Sequence, residues 1–152
     1  MVAILGVVHR RNRSRGTANR GTAPNIAGDT LDGKPLSLTG LRGHIVVLNV
    51  WGSWCSHCRE EGAALEETYQ KYQPKGVDFL GINAADNNAA AQAYVRAAGI
   101  AYPSLQDPDE TLVLQFKSTL LATSVLSTVI LDQEGRAAVR VIGEATGPEL
   151  VQ

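Results

Sequence analysis

The two cysteines of the chain, Cys55 and Cys58, follow directly on an apolar, β-branched run at residues 45–50. The residues after them have helical periodicity, so the sequence predicts a strand, a tight Cys-x-x-Cys turn and then a helix. Backbone N–H groups and the positive end of the helix dipole point at whatever precedes a helix, and both favour a thiolate over a thiol. Because the thiolate is the nucleophile in disulfide exchange, this placement predicts redox chemistry.

Other roles for a cysteine pair fit the sequence less well. A structural disulfide gains stability from the chain length that it encloses, and this pair encloses almost none. Covalent haem attachment requires a histidine after the second cysteine, where Arg59 stands. A peroxidase of the peroxiredoxin type requires Pro-x-x-x-Thr/Ser-x-x-Cys, and Leu48 and Gly52 occupy those places. A zinc site needs three or four ligands, and there is no second cysteine pair. The candidate ligands besides the cysteines are His9, His44 and His57.

Length and charge limit the classes of protein. The 152 residues, 44% of them hydrophobic, suffice for one domain with a single core. A net charge of −1 provides no electrostatic attraction to nucleic acid or to an acidic membrane surface. No apolar run approaches the ~20 residues of a membrane-spanning helix.

The first residues have a different composition from the rest. Residues 1–8 are mostly apolar and residues 9–15 are basic, which reverses the order of a signal peptide. We therefore expect residues 1–22 to be a disordered leader or the remnant of a signal or membrane anchor. Residues 23–152 are expected to form the folded domain.

Periodicity and capping signals predict the order strand, helix, strand, helix and hairpin. The predicted strands are residues 45–50, 77–83, 127–131 and 137–142, and a turn at 31–34 indicates a further, N-terminal hairpin. The first helix ends at Pro74 and Gly76; the second begins at Asp86 or Asn87 and ends at Gly99. A short third helix is expected to be capped by Asp107, with Pro108 at its first position, and to reach Phe116.

The helix that follows the cysteines is amphipathic, and its apolar stripe begins with Cys58. We therefore expect Cys58 to be buried and Cys55 to be exposed, an asymmetry that suits a resolving and an attacking thiol. Glu66 is expected on the opposite, charged side of the helix. The stripe consists of Cys58, Gly62, Leu65, Tyr69 and Tyr72.

The run Trp-Gly-Ser-Trp-Cys-Ser-His-Cys-Arg-Glu-Glu at residues 51–61 resembles the TlpA-like, ResA-like branch of the thioredoxin-fold thiol–disulfide oxidoreductases. Weaker similarities at residues 31–34, 41–43, 102–104 and 131–136 occur in the right order, so the likeness covers about residues 23–144. It implies an α/β, thioredoxin-like fold: a central mixed β-sheet flanked by helices, with an N-terminal β-hairpin and a truncated C-terminal helix.

The resemblance also implies a chemistry. Cys55 would attack a partner disulfide, Cys58 would resolve the mixed disulfide, and Glu61 would help to move protons. From the residues alone, Glu61 lies at the margin of the apolar stripe, as either a partly desolvated carboxyl or a solvated glutamate that favours the helix end. The implied partners are a cysteine-containing protein and a thiol or membrane electron donor. The protein would be an extracytoplasmic monomer, tethered or secreted, that needs no cofactor, metal or nucleic acid.

Two neighbours of the cysteines are candidates for tuning them. His57, when charged, would stabilise the Cys55 thiolate and make the couple more oxidising, unless it is an exposed histidine without effect. Trp54 is expected to pack beside the pair and shield it, whereas Trp51 is expected in the core.

The sequence departs from the family where Leu126 stands in place of a cis-proline that faces the dithiol. A cis bond before a non-proline residue costs ~3–4 kcal/mol, so we expect a trans Val125–Leu126 bond and a displaced loop. Residues 148–150 resemble only the first turn of the family's last helix. These losses leave an alternative open: a non-catalytic or impaired thioredoxin-fold binding module.

Overall fold

The computed structural model describes residues 21–116 and 127–142, with side chains in the last strand described as far as Val139. Its strands are β1 (Ala27–Asp29), β2 (Pro35–Ser37), β3 (Ile45–Trp51), β4 (Val77–Ala84), β5 (Ser104–Asp107), β6 (Ser127–Leu131) and β7 (Ala137–Ile142). The α-helices are α1 (Ser56–Tyr72), α2 (Asn88–Ala98) and α3 (Thr111–Gln115). Short 3-10 turns lie at Leu38–Leu41 and Gln73–Lys75.

A five-stranded mixed sheet with the order β5-β4-β3-β6-β7 forms the centre of the molecule. Strands β3, β4 and β5 are parallel, while β6 runs antiparallel to β3 and β7 antiparallel to β6. Strand β3 is central, and all seven of its residues are buried, as expected for an apolar strand covered on both faces. The predicted mixed α/β architecture is confirmed.

Alternation along β3 divides the core into two layers. Val46, Leu48 and Val50 face Ile26 of the N-terminal segment and Phe116 after α3. Their neighbours point to the other face, where the aromatic cluster of α1, β4 and the segment before β5 lies. That cluster contains Tyr69, Tyr72, Phe79 and Tyr102. Helices α1 and α2 therefore cover one face of the sheet, and the N-terminal segment with α3 covers the other.

The N-terminal hairpin is present and its predicted turn is confirmed. Strands β1 and β2 pair antiparallel, and Gly33 takes a positive φ of 82° in the turn between them. The Leu31 N–H donates to the carbonyl of Ser104, so the hairpin is fastened to β5. Gly21 already contacts β7, because its carbonyl accepts from the Ala137 N–H at 3.2 Å.

Strand β5 was absent from the predicted order, and that prediction is corrected here. Its four residues include three polar ones, and their partners come from distant parts of the chain. The Ser104 hydroxyl accepts from Trp51 Nε1 at 2.9 Å, and Gln106 Nε2 donates to the Thr30 carbonyl at 2.8 Å. A short strand whose polar groups are satisfied only in the folded chain carries no local hydrophobic pattern.

The start of α3 and the position of Glu66 also differ from expectation. Residues 108–110 form a turn, Glu110 is the N-cap with a positive φ of 61°, and Pro108 is not in the helix. Asp107 still caps α3, because its carboxylate accepts from the N–H groups of Leu112 and Val113. Glu66 is 9% exposed rather than solvated, since the flank of α1 around it is covered and Gln70 donates to its carboxylate.

Candidate active site

The two cysteines form a disulfide at the N-terminus of α1, with their Cα atoms 5.2 Å apart. Cys55 is the N-cap residue, with extended φ and ψ angles of −93° and 111°. Its Sγ accepts a hydrogen bond from the Cys58 N–H at 3.2 Å. The sulfur thus occupies the place that a capping oxygen usually takes, where N–H groups and the helix dipole stabilise negative charge.

The cysteines differ in accessibility: the predicted burial of Cys58 is confirmed, whereas Cys55 is less exposed than predicted. Cys58 is 4% exposed and belongs to a buried cluster with Leu31, Trp51 and Ala91. Cys55 is partly buried and packs against this cluster from outside. An external disulfide or thiol can therefore reach Cys55, while Cys58 is accessible only from within the site.

The loop before Cys55 is held by the end of β4. Asp86 accepts hydrogen bonds from the Ser53 N–H at 2.7 Å and from the Ser53 hydroxyl at 2.8 Å. Asn83 Nδ2 and the Asn87 N–H bond the same carboxylate. Burial alone would raise the pKa of Asp86, but these hydrogen bonds outweigh it and hold the pKa below 3.8. We call this arrangement of Ser53, Asn83, Asp86 and Asn87 the Asp86 clamp.

Trp54 is 56% exposed, and its described contacts are with the loop and β4. Its Nε1 donates to the Ala84 carbonyl at 3.3 Å. The indole lies so close to Gly52 that a β-carbon there would collide with the ring. Shielding of the sulfurs by Trp54 stays a prediction. Trp51 is 5% exposed, so its expected place in the core is confirmed.

Glu61 is 5% exposed, so its carboxyl is buried rather than solvated. Asn49 Nδ2 donates to Glu61 Oε1 at 2.9 Å and to Thr128 Oγ1 at 3.0 Å. Glu61 lies three residues after Cys58 on α1 and points to the same, sheet-facing side. This polar trio of Asn49, Glu61 and Thr128 crosses from the active-site helix to β3 and β6.

The charge of Glu61 contributes to the raised pKa values of two tyrosines, Tyr94 and Tyr102. Burial raises the pKa of Tyr94, with the Arg59 charge opposing and the Glu61 charge adding to the rise. Burial also raises the pKa of Tyr102, and Tyr94, Glu61 and Glu66 add to that rise. Both phenols are therefore neutral over the range in which carboxyls and thiols titrate.

Of the two remaining predicted site residues, His57 is described by the structure and Leu126 is not. The His57 ring is exposed, and its Nδ1 lies 3.5 Å from Glu60 Oε2. That carboxylate offsets positive charge on a protonated His57, and an effect of His57 on Cys55 stays a prediction. Leu126, the Val125–Leu126 bond and residues 148–150 lie outside the described residues.

The described residues were compared with two further requirements: those of a metal site and those of a membrane-spanning helix. Across residues 21–116 and 127–142, no three His, Cys, Asp or Glu side chains come together in a way that would hold a metal ion. No helix in those ranges has both the length and the apolar character that a bilayer crossing requires.

Several site residues were not predicted from the sequence. Asn49 and Thr128 are polar residues within the runs that became β3 and β6, and that interruption was the available signal. Asp86 was considered only as a helix cap, whereas Asn87 is the cap of α2 and Asp86 binds the loop. Leu31 comes from the distant N-terminal hairpin, which no local pattern connects to Cys58.

Comparison with known proteins identifies the family. The model of the AhpC/TSA family matches residues 20–140. A thiol-disulfide oxidoreductase ResA of Bacillus anthracis is 33% identical over 128 residues, which cover 84% of this chain and 72% of that protein.

Solved structures agree with the sequence relatives. The chain is similar to a secreted thiol-disulfide isomerase of Corynebacterium glutamicum, with a TM-score of 0.80, 30% identity, and 89% of this chain and 84% of that one covered. A DsbF homologue of Corynebacterium diphtheriae has a TM-score of 0.76 at 30% identity, covering 90% and 86% of the two chains. The fold, the Cys55–Cys58 pair and these similarities agree, and the chain belongs to the AhpC/TSA family, among its ResA-like thiol–disulfide oxidoreductases with the thioredoxin fold.

Proposed function

We propose that this thiol–disulfide oxidoreductase passes electrons from its reduced Cys55/Cys58 pair to disulfides of cysteine-containing proteins outside the cytoplasm. The observation that carries the proposal is the position of Cys55. The residue is partly buried at the start of α1, where its Sγ accepts the Cys58 N–H, while Cys58 itself is buried. This geometry supports one thiol for attack and one for resolution.

The first step is attack by Cys55. In the reduced protein the Cys55 thiolate attacks one sulfur of a substrate disulfide and forms a mixed disulfide. The other substrate sulfur leaves as a thiolate and takes a proton from water. The N-terminus of α1 stabilises the attacking thiolate, and a protonated His57 adds positive charge that Glu60 moderates.

The second step is resolution by Cys58. Its thiol transfers a proton to the Glu61 carboxylate, which the fold places on the same side of α1. The Cys58 thiolate then attacks the Cys55 Sγ, which restores the internal disulfide and releases the second substrate sulfur as a thiolate. The substrate has gained two electrons and the cysteine pair has lost them; a thiol or membrane electron donor reduces the pair again.

The direction and location rest on other support. One similar protein is the secreted thiol-disulfide isomerase of Corynebacterium glutamicum, which favours a place outside the cytoplasm for this chain as well. Leu126 in place of a cis-proline is proposed to weaken the grip on the substrate backbone without removing the reactive sulfurs. The substrate is therefore proposed to be held mainly through the mixed disulfide.

Trapping of the mixed disulfide tests the proposal. The reduced wild type, Cys55→Ser and Cys58→Ser are mixed with a disulfide-bonded peptide and analysed by intact mass. The wild type should release reduced peptide, Cys58→Ser should stop as a stable adduct at Cys55, and Cys55→Ser should do neither.

The same experiment separates the alternative function. A non-catalytic binding module would reduce the peptide no faster than an unfolded peptide with the same Cys-x-x-Cys sequence. That result would contradict the proposed activity, and a stable adduct at Cys58 in Cys55→Ser would contradict the assignment of Cys55 as the nucleophile.

A further inference from the structure

Three polar side chains are buried together between the active-site helix and the sheet. Asn49 is 3% exposed, Thr128 is 0% exposed and Glu61 is 5% exposed. A carboxyl, an amide and a hydroxyl taken out of water are costly unless each is hydrogen-bonded. A buried polar group of this kind therefore restricts its members to the orientations in which their bonds are made.

Asn49 is the centre of the trio. Its amide nitrogen has two hydrogens, and both are used: one on Glu61 Oε1 at 2.9 Å, one on Thr128 Oγ1 at 3.0 Å. The backbone fixes this arrangement, because Asn49 and Thr128 are paired across β3 and β6. Asn49 lies in the row with Val47 and Trp51, which faces α1.

The hydrogen bond from Asn49 selects between the two carboxyl oxygens of Glu61. A carbonyl-type oxygen accepts a hydrogen bond better than the oxygen of an acid O–H group, so a donor on Oε1 favours a Glu61 proton on Oε2. The bond also fixes the rotation of the carboxyl about its last torsion angle. The carboxyl is thereby held in one orientation, with its proton favoured on one of the two oxygens.

Resting on the proposed role of Glu61, we propose that Asn49 is a positioning residue, which orients the Glu61 carboxyl toward proton exchange with Cys58. Thr128 anchors the Asn49 amide and so joins this proton-transfer unit to β6. Strand β6 begins directly after residues 117–126, the stretch that contains Leu126. Neither Asn49 nor Thr128 reacts; both act through Glu61.

The contribution of Glu61 to the pH dependence of resolution can be separated from that of the ionisable groups around it. On α1 the neighbour is Cys58, and from α2 and the segment before β5 come Tyr94 and Tyr102. Glu66 is the other carboxyl whose charge raises the pKa of Tyr102. Strands β3 and β6 contribute no ionisable side chain. Since the tyrosines stay neutral and Cys55 is bound in the mixed disulfide during resolution, a comparison of wild type with Glu61→Gln isolates the contribution of Glu61 to the pH dependence of that step.

The test is a stopped-flow reaction of reduced protein with dithiobis(nitrobenzoate), which releases one coloured thiolate on attack by Cys55 and a second on resolution by Cys58. We expect Glu61→Gln to slow the second release by about a hundredfold, the lower end for a lost acid–base group, at pH values where the Glu61 carboxylate is ionised and Cys58 is still a thiol. Asn49→Leu, of similar volume, should slow the second release by about tenfold, move its acid limb to higher pH, and leave the first release unchanged.

A double-mutant cycle identifies the route of the effect. In the Glu61→Gln background, Asn49→Leu should cause no further loss. If the two losses multiply, Asn49 acts independently of Glu61 and the inference is wrong. If Glu61→Gln alone has no effect on the second release, the proposed role of Glu61 is wrong. If Glu61→Gln is slow but Asn49→Leu reacts like the wild type, only the positioning role of Asn49 is wrong.

Thr128 provides a second, milder test should Asn49→Leu fold poorly. Thr128→Val keeps the shape and removes the acceptor, whereas Thr128→Ser keeps the hydroxyl. We expect a two- to fivefold slower second release for Thr128→Val and recovery for Thr128→Ser. Equal rates for both variants and the wild type would overturn the anchoring role of Thr128.

Discussion

Gly62 sets how closely α1 approaches the residues packed against it. A β-carbon at this position would overlap the hydroxyl of Tyr94, whose ring and hydroxyl both have partners in the fold. The ring packs at 5.5 Å from Trp51, and the hydroxyl donates to the Arg59 carbonyl at 3.4 Å. The absent side chain at Gly62 therefore allows Tyr94 to lie over the first turns of the active-site helix.

Gly62→Ala should destabilise the protein by about 1 kcal/mol. Overpacking costs about 1–3 kcal/mol, and the better helix propensity of alanine returns about 1 kcal/mol. In a Tyr94→Phe background the overlapping oxygen is gone, so the same substitution should stabilise by up to about 1 kcal/mol. Urea unfolding of the four proteins measures both signs. A stabilising Gly62→Ala in the wild type would show that the tyrosine moves aside.

At this scale the sequence predicted the positions of the two cysteines better than their surroundings. The burial of Cys58 follows from its place on the apolar stripe of α1, whereas Glu61 stands at the margin of that stripe, where the sequence leaves its burial open. Asn49, Thr128 and Leu31 reach the site through pairing and packing across long stretches of chain. No local pattern contains that information.

The Asp86 clamp connects two elements: the loop that leads from β3 to α1, and the loop that leads from β4 to α2. Its carboxylate receives four hydrogen bonds, two of them from Ser53 just before the cysteines. The clamp therefore holds the carboxyl ends of two neighbouring parallel strands together. The position of Cys55 depends on this contact between loops as well as on α1 itself.

Asp86→Asn should lower stability at neutral pH by at least about 1 kcal/mol, because the amide keeps one neutral acceptor oxygen and its NH₂ group cannot accept the bonds made to the other. The pKa of Asp86 in the folded protein lies below its ordinary value of 3.8, so the contribution of its carboxylate is complete above that pH. It is lost as the pH falls through the folded-state pKa. The difference between wild type and Asp86→Asn should thus shrink in acid. Urea unfolding across this range measures it.

Asp29→Asn, at an exposed position in β1, is the matched control and should show a small difference at every pH. A constant gap between wild type and Asp86→Asn from neutral to strongly acidic pH would contradict the clamp's dependence on charge.

The prediction of elements succeeded where a segment has its own hydrophobic pattern. Strands β3, β4, β6 and β7 and helices α1 and α2 were all found within about one or two residues of their ends. The short elements were harder: β5 was missed, and α3 begins after Pro108 because Asp107 caps it from the end of that strand. Both failures concern segments whose polar residues are satisfied by tertiary contacts.

The whole domain consists of three layers, and the N-terminal segment is part of one of them. Ile26 is 0% exposed and lies among the sheet residues and α3. Thr22 bridges to Arg136 and Thr30 to Leu105, so this segment spans from the β6–β7 turn to the β5 edge. The segment before β3 is therefore integral to the core.

Ile26→Ala should destabilise the entire domain by about 2–5 kcal/mol, because it opens a cavity in a layer shared by β3, β4 and β6. Leu114→Ala is the matched control: Leu114 is 58% exposed on α3, and its truncation should cost less than about 0.5 kcal/mol. Thermal unfolding compares the two. Equal melting temperatures for both variants would mean that the N-terminal segment detaches before the sheet unfolds.

The chain has two tryptophans, and both stand within four residues of Cys55. Trp51 packs in the cluster that holds Cys58, and Trp54 covers the loop before Cys55. A disulfide accepts an electron from a nearby excited indole and dims its emission, an effect that ends when the sulfurs separate. The tryptophan fluorescence of the protein should therefore rise when the Cys55–Cys58 disulfide is reduced. Because both tryptophans lie beside this disulfide, the signal reports on the active site.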